Sequence, residues 1–228
     1  SRGLGDVYKR QLSEMTDVLG FSGYSLEEMN NYNKKLVEAL LDLDNTTQLG
    51  IANSIWIKKG FGVHDDFVSV NKKMYDAQVQ ELDFASPKAP DIINGWCAGK
   101  TNNCIPKVLN EIPETARLYL LNALYFKGIW KNQFKKSDTA EEAFTNADGS
   151  KSTVHMMNLR DERFNYAENE YFSMAELPYG NEAFSMVVLL PAEGKSLDEC
   201  LPQLNDERWG EWNSSCLLYT SPSPRDRG

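Results

Sequence analysis

Apolar residues recur at helical spacing in several separate stretches of the chain. Ser25 and Glu28 match a capping box, in which the serine oxygen accepts the amide three residues on and the glutamate bonds back. A helix over 26–41 follows from this start and from the apolar spacing after it. The same spacing predicts further helices over 65–78, 90–108, 197–204 and 206–212.

Other stretches alternate between apolar and polar residues or are almost continuously apolar, as strands are. Gly180 and Asn181 separate the last two strands and indicate a tight hairpin. Helices and strands follow no strict βαβ rhythm, which favours an α+β domain over a doubly wound sheet. The predicted strands cover 49–58, 79–84, 118–126, 152–159, 171–179 and 182–191.

Composition narrows the classes of partner. The 228 residues are 41% hydrophobic and carry a formal charge of −9, with no block rich in lysine or arginine. Phosphate binding needs clustered cations, so we expect neither a nucleic acid nor a membrane surface as partner. No apolar run is long enough to predict a membrane span.

The residue types that carry chemistry are few. Only His64 and His155 could serve as a catalytic base, and no orienting partner is evident for either. No CxxC pair exists, and Cys97 and Cys104 lie too far apart on one predicted helix for a disulfide. Gly95–Thr101 only superficially matches a phosphate-binding loop, since three residues instead of four separate the glycines. We therefore predict no catalytic, metal or cofactor site, and no enzyme activity.

Both ends of the chain differ from its body. Residues 1–11 show no amphipathic period, and 216–228 turn abruptly to a sequence rich in serine, proline and arginine. Both resemble translated adapter or cloning sequence, and we expect them to be disordered. The domain is then predicted over 12–215 as a fragment of a longer protein.

Several sequence blocks of this body resemble serpins, in the family's element order. The most specific block runs from Asn122 to Trp130 (NALYFKGIW) and is followed by Phe134. One departure is Asn103, where the family usually has glycine near the end of the helix that crosses the large sheet. Further matching blocks are Asn53–Trp56, Ile93-Asn94 with Thr101 and Ile105, Val154–Met157, Leu177–Tyr179 and Met186–Pro191.

The resemblance implies an incomplete serpin-like α+β fold, with helices on a large mixed sheet and a second, smaller antiparallel sheet. It also implies a suicide-substrate mechanism, in which a protease cleaves a bait loop that then inserts into the large sheet. Residues 118–126 would form one bank of the insertion site. The resemblance assigns Asn122, Phe126, Gly128, Trp130 and Phe134 to the region where the sheet opens. Asn122 must find polar partners, which we expect in parts of the family fold that are absent here.

We expect this chain to lack the family's reactive-centre loop and to be inactive alone. The parent protein is predicted to be a monomeric, exported inhibitor of a serine or cysteine protease, from a bacterial source. A non-inhibitory serpin with a carrier, chaperone or storage role is the alternative, because the hinge that separates the two is not in the sequence. The fragment itself is expected to aggregate through its apolar strand edge.

Overall fold

The computed structural model describes residues 2–159, 162–216 and 220–221. The chain divides into two compact units. The first contains the described residues up to Leu43 together with Gln48–Phe126, and the second contains Asp44–Thr47 and the described residues from Lys127 onward.

The first unit carries four helices and one sheet. Its helices are α1 (Arg2–Val18), α2 (Leu26–Leu41), α3 (Asp65–Tyr75) and α4 (Ala89–Lys100). Its strands are β1 (Gln48–Lys58), β2 (Gln78–Leu82) and β3 (Leu118–Lys127), the last of which ends in the second unit.

These three strands form a mixed sheet in the order β2-β1-β3. β1 and β2 are parallel, with Ser54 opposite Gln78. β3 runs antiparallel to β1, because Gly50 near the start of β1 faces Tyr125 and Lys58 at its end bonds to Arg117. The core of this unit is the buried cluster of Trp56, Phe84 and Ile93. Burial of each of these side chains stabilises the fold by about 1.5–3 kcal/mol.

The capping box predicted at the start of α2 is confirmed. The Glu28 amide donates to Ser25 Oγ over 3.2 Å, and the Ser25 amide donates to the Glu28 carboxylate over 2.8 Å. The two bonds satisfy amides that the helix leaves unpaired, so α2 has the predicted bounds.

The N-terminal segment differs from the expectation of disorder. Residues from Arg2 onward form α1, which continues past residue 12, the predicted start of the domain, and ends at Val18. Leu4, Val7 and Met15 lie at helical spacing in this segment, a pattern that the prediction overlooked. The origin of 1–11 stays a prediction.

Helix α4 is shorter than predicted. Thr101 ends it: its hydroxyl donates to the Cys97 carbonyl over 2.8 Å and accepts the Ile105 amide over 3.1 Å. Asn102 and Asn103 follow with φ of 50° and 60°, in the left-handed region that asparagine tolerates best after glycine. The departure at Asn103 therefore keeps the turn that a glycine would make.

Asn94 fixes the segment that follows this turn. Its Oδ1 accepts the amides of Val108 over 2.8 Å and Leu109 over 2.9 Å, and its Nδ2 donates to the Leu109 carbonyl over 2.8 Å. The side chain is buried on α4. One asparagine thereby binds Val108, which the prediction had placed within the same helix, and its neighbour Leu109.

The second unit is built mainly from antiparallel strands. One sheet has the order β8-β7-β6-β9, and β4 pairs with β5 in a separate two-stranded sheet. The core of the unit contains Phe172, Met174, Cys200 and Trp212. The elements are β4 (Thr139–Thr145), β5 (Lys151–Met157), β6 (Phe164–Glu168), β7 (Phe172–Pro178), β8 (Ser185–Pro191), β9 (Thr220–Ser221), α5 (Leu197–Cys200) and α6 (Asp206–Cys216), with 3-10 turns at Lys136–Asp138 and Leu201–Gln203.

The α+β class, the mixed sheet and the antiparallel sheet are confirmed. Strands β4 and β6 were not predicted, and β9 lies within 216–228, where disorder was expected. The tight hairpin at Gly180-Asn181 is wrong, because the Tyr179 amide bonds to the Phe184 carbonyl over 2.8 Å and closes a longer loop. The rest of 216–228 beyond Cys216 lies outside the described residues.

Candidate functional site

The five predicted site residues fall into two groups. Asn122 and Phe126 lie on β3 in the first unit, and Gly128, Trp130 and Phe134 belong to the second. Each group is built by its own contacts.

Strand β3 has two different faces. Tyr119 and Leu121 pack against the Trp56 cluster, and Ala123 is buried. Leu120 and Leu124 lie on the opposite face and are 65% and 60% exposed. Asn122 and Phe126 share this second face by the alternation of the strand.

Asn122 finds its partners within this chain, so the expectation that they would be absent is wrong. Its Nδ2 donates to Asn53 Oδ1 over 2.9 Å. Asn53 Nδ2 in turn donates to the Tyr75 carbonyl over 2.9 Å. The Tyr75 hydroxyl donates to Asn30 Oδ1 over 2.7 Å. We call these four residues the asparagine relay; it joins β3 and β1 to helices α3 and α2.

Trp130 contacts two aromatic rings. The Tyr179 ring stacks on it with centroids 4.3 Å apart and an interplanar angle of 13°. Phe134 approaches edge-on at 6.1 Å. We call Trp130, Phe134 and Tyr179 the tryptophan clamp. Burial of Tyr179 raises the pKa of its hydroxyl.

Gly128 leaves room for this stack. A Cβ at position 128 would lie 2.5 Å from Cδ1 of the Tyr179 ring and 2.8 Å from its Cγ. No side chain fits there unless the ring moves. The resemblance assigned Gly128 to the site, and the structure gives the reason for the residue type.

Backbone bonds and an ion pair hold the segments of the clamp together. The Gly180 amide donates to the Ile129 carbonyl over 2.8 Å, and the Lys131 amide donates to the Pro178 carbonyl over 3.0 Å. Lys131 Nζ lies 2.7 Å from the Glu182 carboxylate. The ion pair is half exposed and contributes little, so the aromatic stack and backbone bonds dominate.

A buried carboxylate lies beside this loop. Asp44 accepts the Thr47 hydroxyl over 2.7 Å, and its other oxygen accepts the Thr46 hydroxyl over 2.7 Å and the Thr46 amide over 2.8 Å. The hydrogen bond from Thr47 is the largest cause of the lowered pKa of Asp44, and a backbone bond from Asn181 also contributes. A Cβ at Gly180 would lie 2.7 Å from the Asp44 carboxylate.

The residues weighed as catalytic or metal-binding are not gathered into a site. His64 and His155 are both exposed, and His64 precedes α3 without a side-chain capping bond. Gly95–Lys100 lies within α4, so the superficial phosphate-loop pattern is helical. Cys97 and Cys200 are buried free thiols, and Cys104 is an exposed one. Within the described ranges, no cluster of histidine, cysteine or carboxylate side chains could hold a metal ion.

No described helix combines the length and apolar character needed to cross a membrane.

Three members of the asparagine relay were not predicted as site residues, namely Asn30, Asn53 and Tyr75. Asn53 offered a signal, because it is an amide on the same strand face as the apolar Ile51, Ile55 and Ile57. The bond from Asn53 to a backbone carbonyl had no signal in the sequence.

The serpin (serine protease inhibitor) family model matches residues 8–220. Serpin B11 of Homo sapiens is 32% identical over 177 residues, which cover 75% of this chain and 45% of that protein. Iripin-3 of Ixodes ricinus is 34% identical over 201 residues, 84% of this chain and 49% of that protein. The chain spans about half the length of the curated relatives it matches.

Solved structures agree with this match. The native state of the thermophilic serpin tengpin superposes with a TM-score of 0.75 at 30% identity, covering 84% of this chain and 49% of tengpin. Serpin-12 of Manduca sexta gives a TM-score of 0.79 at 25% identity, covering 89% of this chain and 57% of that protein. By the family model, the relatives and the shared fold, this chain belongs to the serpin family.

Proposed function

We propose that this chain is part of a serpin-type inhibitor of serine proteases and supplies the strand beside which a cleaved reactive-centre loop inserts. The observation that carries the proposal is β3 itself. Among the described strands it lies at one edge of the mixed sheet, and the asparagine relay fixes Asn122 near its middle.

Strand addition uses the hydrogen-bonding groups along such an edge. Each new backbone bond adds on the order of 1 kcal/mol, and the inserted side chains bury further apolar surface. Loop insertion into a serpin sheet is itself an established example of strand addition. Leu120 and Leu124 are the exposed apolar residues of β3 beside Asn122. In the proposed mechanism, the tryptophan clamp holds the backbone that continues from β3 while this edge is filled.

We further propose that the 228 residues alone do not inhibit, because they span about half the length of the relatives they match and, by the resemblance, the reactive-centre loop belongs to the remaining half. The test is incubation of the chain with trypsin, chymotrypsin, elastase and papain, followed by denaturing electrophoresis. We expect no SDS-stable adduct with any of the four proteases. A single covalent adduct would refute this part of the proposal.

Inhibition by the parent is tested on a longer reading frame that contains this chain and a reactive-centre loop. We expect an SDS-stable adduct with a serine protease. Cleavage of the loop without an adduct, across the whole panel, would reject inhibition and support a carrier, chaperone or storage role. An adduct with papain would extend the targets to cysteine proteases.

The position of β3 at an edge of the mixed sheet, among the described strands, also carries a proposal about assembly. Unpaired strand edges with apolar side chains promote association between chains. We propose that the 228-residue chain self-associates and that the parent is an exported monomer. Size-exclusion chromatography of both, and detection of the parent outside the cells that produce it, test these statements. A monomeric 228-residue chain at high concentration would contradict the role given to the edge.

A further inference from the structure

The direction of the hydrogen bonds in the asparagine relay is set by one backbone atom. The Tyr75 carbonyl at the end of α3 can only accept a hydrogen bond. Asn53 must therefore turn its NH2 group toward Tyr75, and the bond of 2.9 Å has this direction. Its Oδ1 then faces β3 and can only accept, so Asn122 must donate. Reversing Asn53 would place two acceptors against each other at Tyr75.

We infer that Asn53 is a positioning residue for Asn122, and that the end of α3 determines which way the Asn122 amide points. The relay leaves the Asn122 NH2 group turned inward to Asn53 and its carbonyl oxygen turned away. Asn53 also satisfies the carbonyl of Tyr75, one of the carbonyls that a helix leaves without an internal partner. A single side chain thus both caps a terminal carbonyl of α3 and orients Asn122 on β3.

The Tyr75 side chain extends the relay without setting its direction. Its hydroxyl bonds to Asn30 on α2 over 2.7 Å, whereas its backbone carbonyl bonds to Asn53. The two roles of this residue are therefore separable. Tyr75→Phe removes the bond to α2 and keeps the acceptor that orients Asn53.

The test is Asn53→Asp, measured at two pH values. The ionised carboxylate has two acceptors and no donor, so it repels the Tyr75 carbonyl, and the pKa of the new carboxyl group rises in the folded state. Once protonated, it donates to Tyr75 with one oxygen and accepts from Asn122 with the other. A raised folded pKa means that this stability grows as the pH falls toward the ordinary carboxyl value of about 3.9.

No other titratable side chain among the described residues around position 53 accounts for the expected pH dependence. A cavity of about 210 Å³ lies beside Asn53, between α3 and the strands β1 and β3. Among the described residues that line it, Tyr75 is the only titratable one, and its hydroxyl is already bonded to Asn30. Asn53→Leu serves as the matched control, since it has similar size and cannot titrate.

We expect the unfolding constant of Asn53→Asp, relative to Asn53→Leu, to fall as the pH is lowered from about 7.5, and the fall should approach tenfold for each unit by which the pKa is raised once the pH nears about 3.9. If Asn53→Asp is unfolded at the higher pH, its refolding at the lower pH supports the inference in the same way as a fall in the unfolding constant. Parallel pH profiles of the two variants, or failure of Asn53→Asp to fold at either pH, would overturn the inference.

A second readout follows the orientation itself. The side-chain NH2 signal of Asn122 in a ¹⁵N–¹H NMR spectrum is assigned by its loss in Asn122→Leu. We expect this signal to shift in Asn53→Leu and to stay in place in Tyr75→Phe. A shift of equal size in Tyr75→Phe would mean that general loosening, and not the carbonyl of Tyr75, determines the orientation.

The importance of this orientation for inhibition rests on the proposed function, but the test does not. If the pH rescue and the NMR shift fail, the relay has no directing role, whether or not the parent forms protease adducts. If both succeed and the parent forms no adduct, the proposed function fails and the positioning role of Asn53 stands.

Discussion

Gly128→Ala tests whether the tryptophan clamp is packed as tightly as its geometry indicates. The added methyl group would lie 2.5 Å from Cδ1, 2.8 Å from Cγ and 3.0 Å from Cε1 of the Tyr179 ring. Carbon atoms in normal contact are about 3.5–4.0 Å apart, so the ring must move by about 1 Å. Tyr179 is only 8% exposed and stacks on Trp130, so it cannot turn into solvent without breaking the stack.

The expected loss follows from these two contributions. Overpacking of a filled site costs about 1–3 kcal/mol. Loss of an aromatic stack costs about 0.5–1.5 kcal/mol. We therefore expect Gly128→Ala to lower the free energy of unfolding by about 2–4 kcal/mol. At a urea dependence of about 2 kcal/mol/M, the midpoint falls by about 1–2 M.

Urea unfolding followed by fluorescence measures the loss, and near-UV circular dichroism reports the stacked rings. Gly95→Ala is the matched control: nothing lies within 4 Å of its new Cβ in helix α4, and alanine in a helix should raise stability by about 0.5–1 kcal/mol. Gly128→Ala should also cost little in a Tyr179→Leu background. Equal midpoints for wild type and Gly128→Ala, or an unchanged cost in that background, would refute the packing argument.

Three further predictions concern hydrogen bonds. Asn94→Leu removes three bonds to the segment after α4 and should cost about 2–4 kcal/mol, with faster hydrogen exchange at the two amides it binds. Unchanged exchange would contradict this role. Asp44→Asn should destabilise at neutral pH, because the bond from Thr47 lowers the pKa of Asp44 in the folded state. This stabilisation is complete above about pH 5 and is lost as the pH falls through the lowered pKa, so the gap between wild type and variant should close on acidification. A gap that stays constant in urea titrations would reject it. Ser25→Ala should cost about 1 kcal/mol through the lost cap, whereas Ser69→Ala on the exposed surface of α3 should cost nothing; equal thermal shifts would contradict the capping argument.

The sequence predicted best those elements whose ends are determined locally. Helix α2 has the predicted bounds because the capping box at Ser25 acts within three residues. The end of α4 was placed too late because the prediction followed residue spacing to 108, whereas the hydroxyl of Thr101 and the left-handed backbone of Asn103 end the helix earlier. Those bonds depend on side-chain orientation, which residue spacing does not determine.

The candidate site divides in the same way. Family resemblance identified Asn122, Gly128 and Trp130, but it could not say what they contact. The partners come from distant parts of the chain: Asn53 lies 69 residues before Asn122, and the contact between Gly128 and Tyr179 depends on how a loop closes. Strand β4 was missed for a related reason. Its two adjacent glutamates interrupt the alternation of apolar and polar residues, and the strand is stabilised by its pairing with β5.

The short left-handed turn after α4 has a practical consequence. It leaves Cys104 exposed just beyond the helix, while Cys97 and Cys200 are buried. With Cys216 replaced by serine, a maleimide dye should therefore attach only at Cys104, four residues after the last residue of α4, the helix that packs on the sheet. Fluorescence of this dye would then report in real time whether that helix moves during the proposed strand insertion, without introducing a new cysteine.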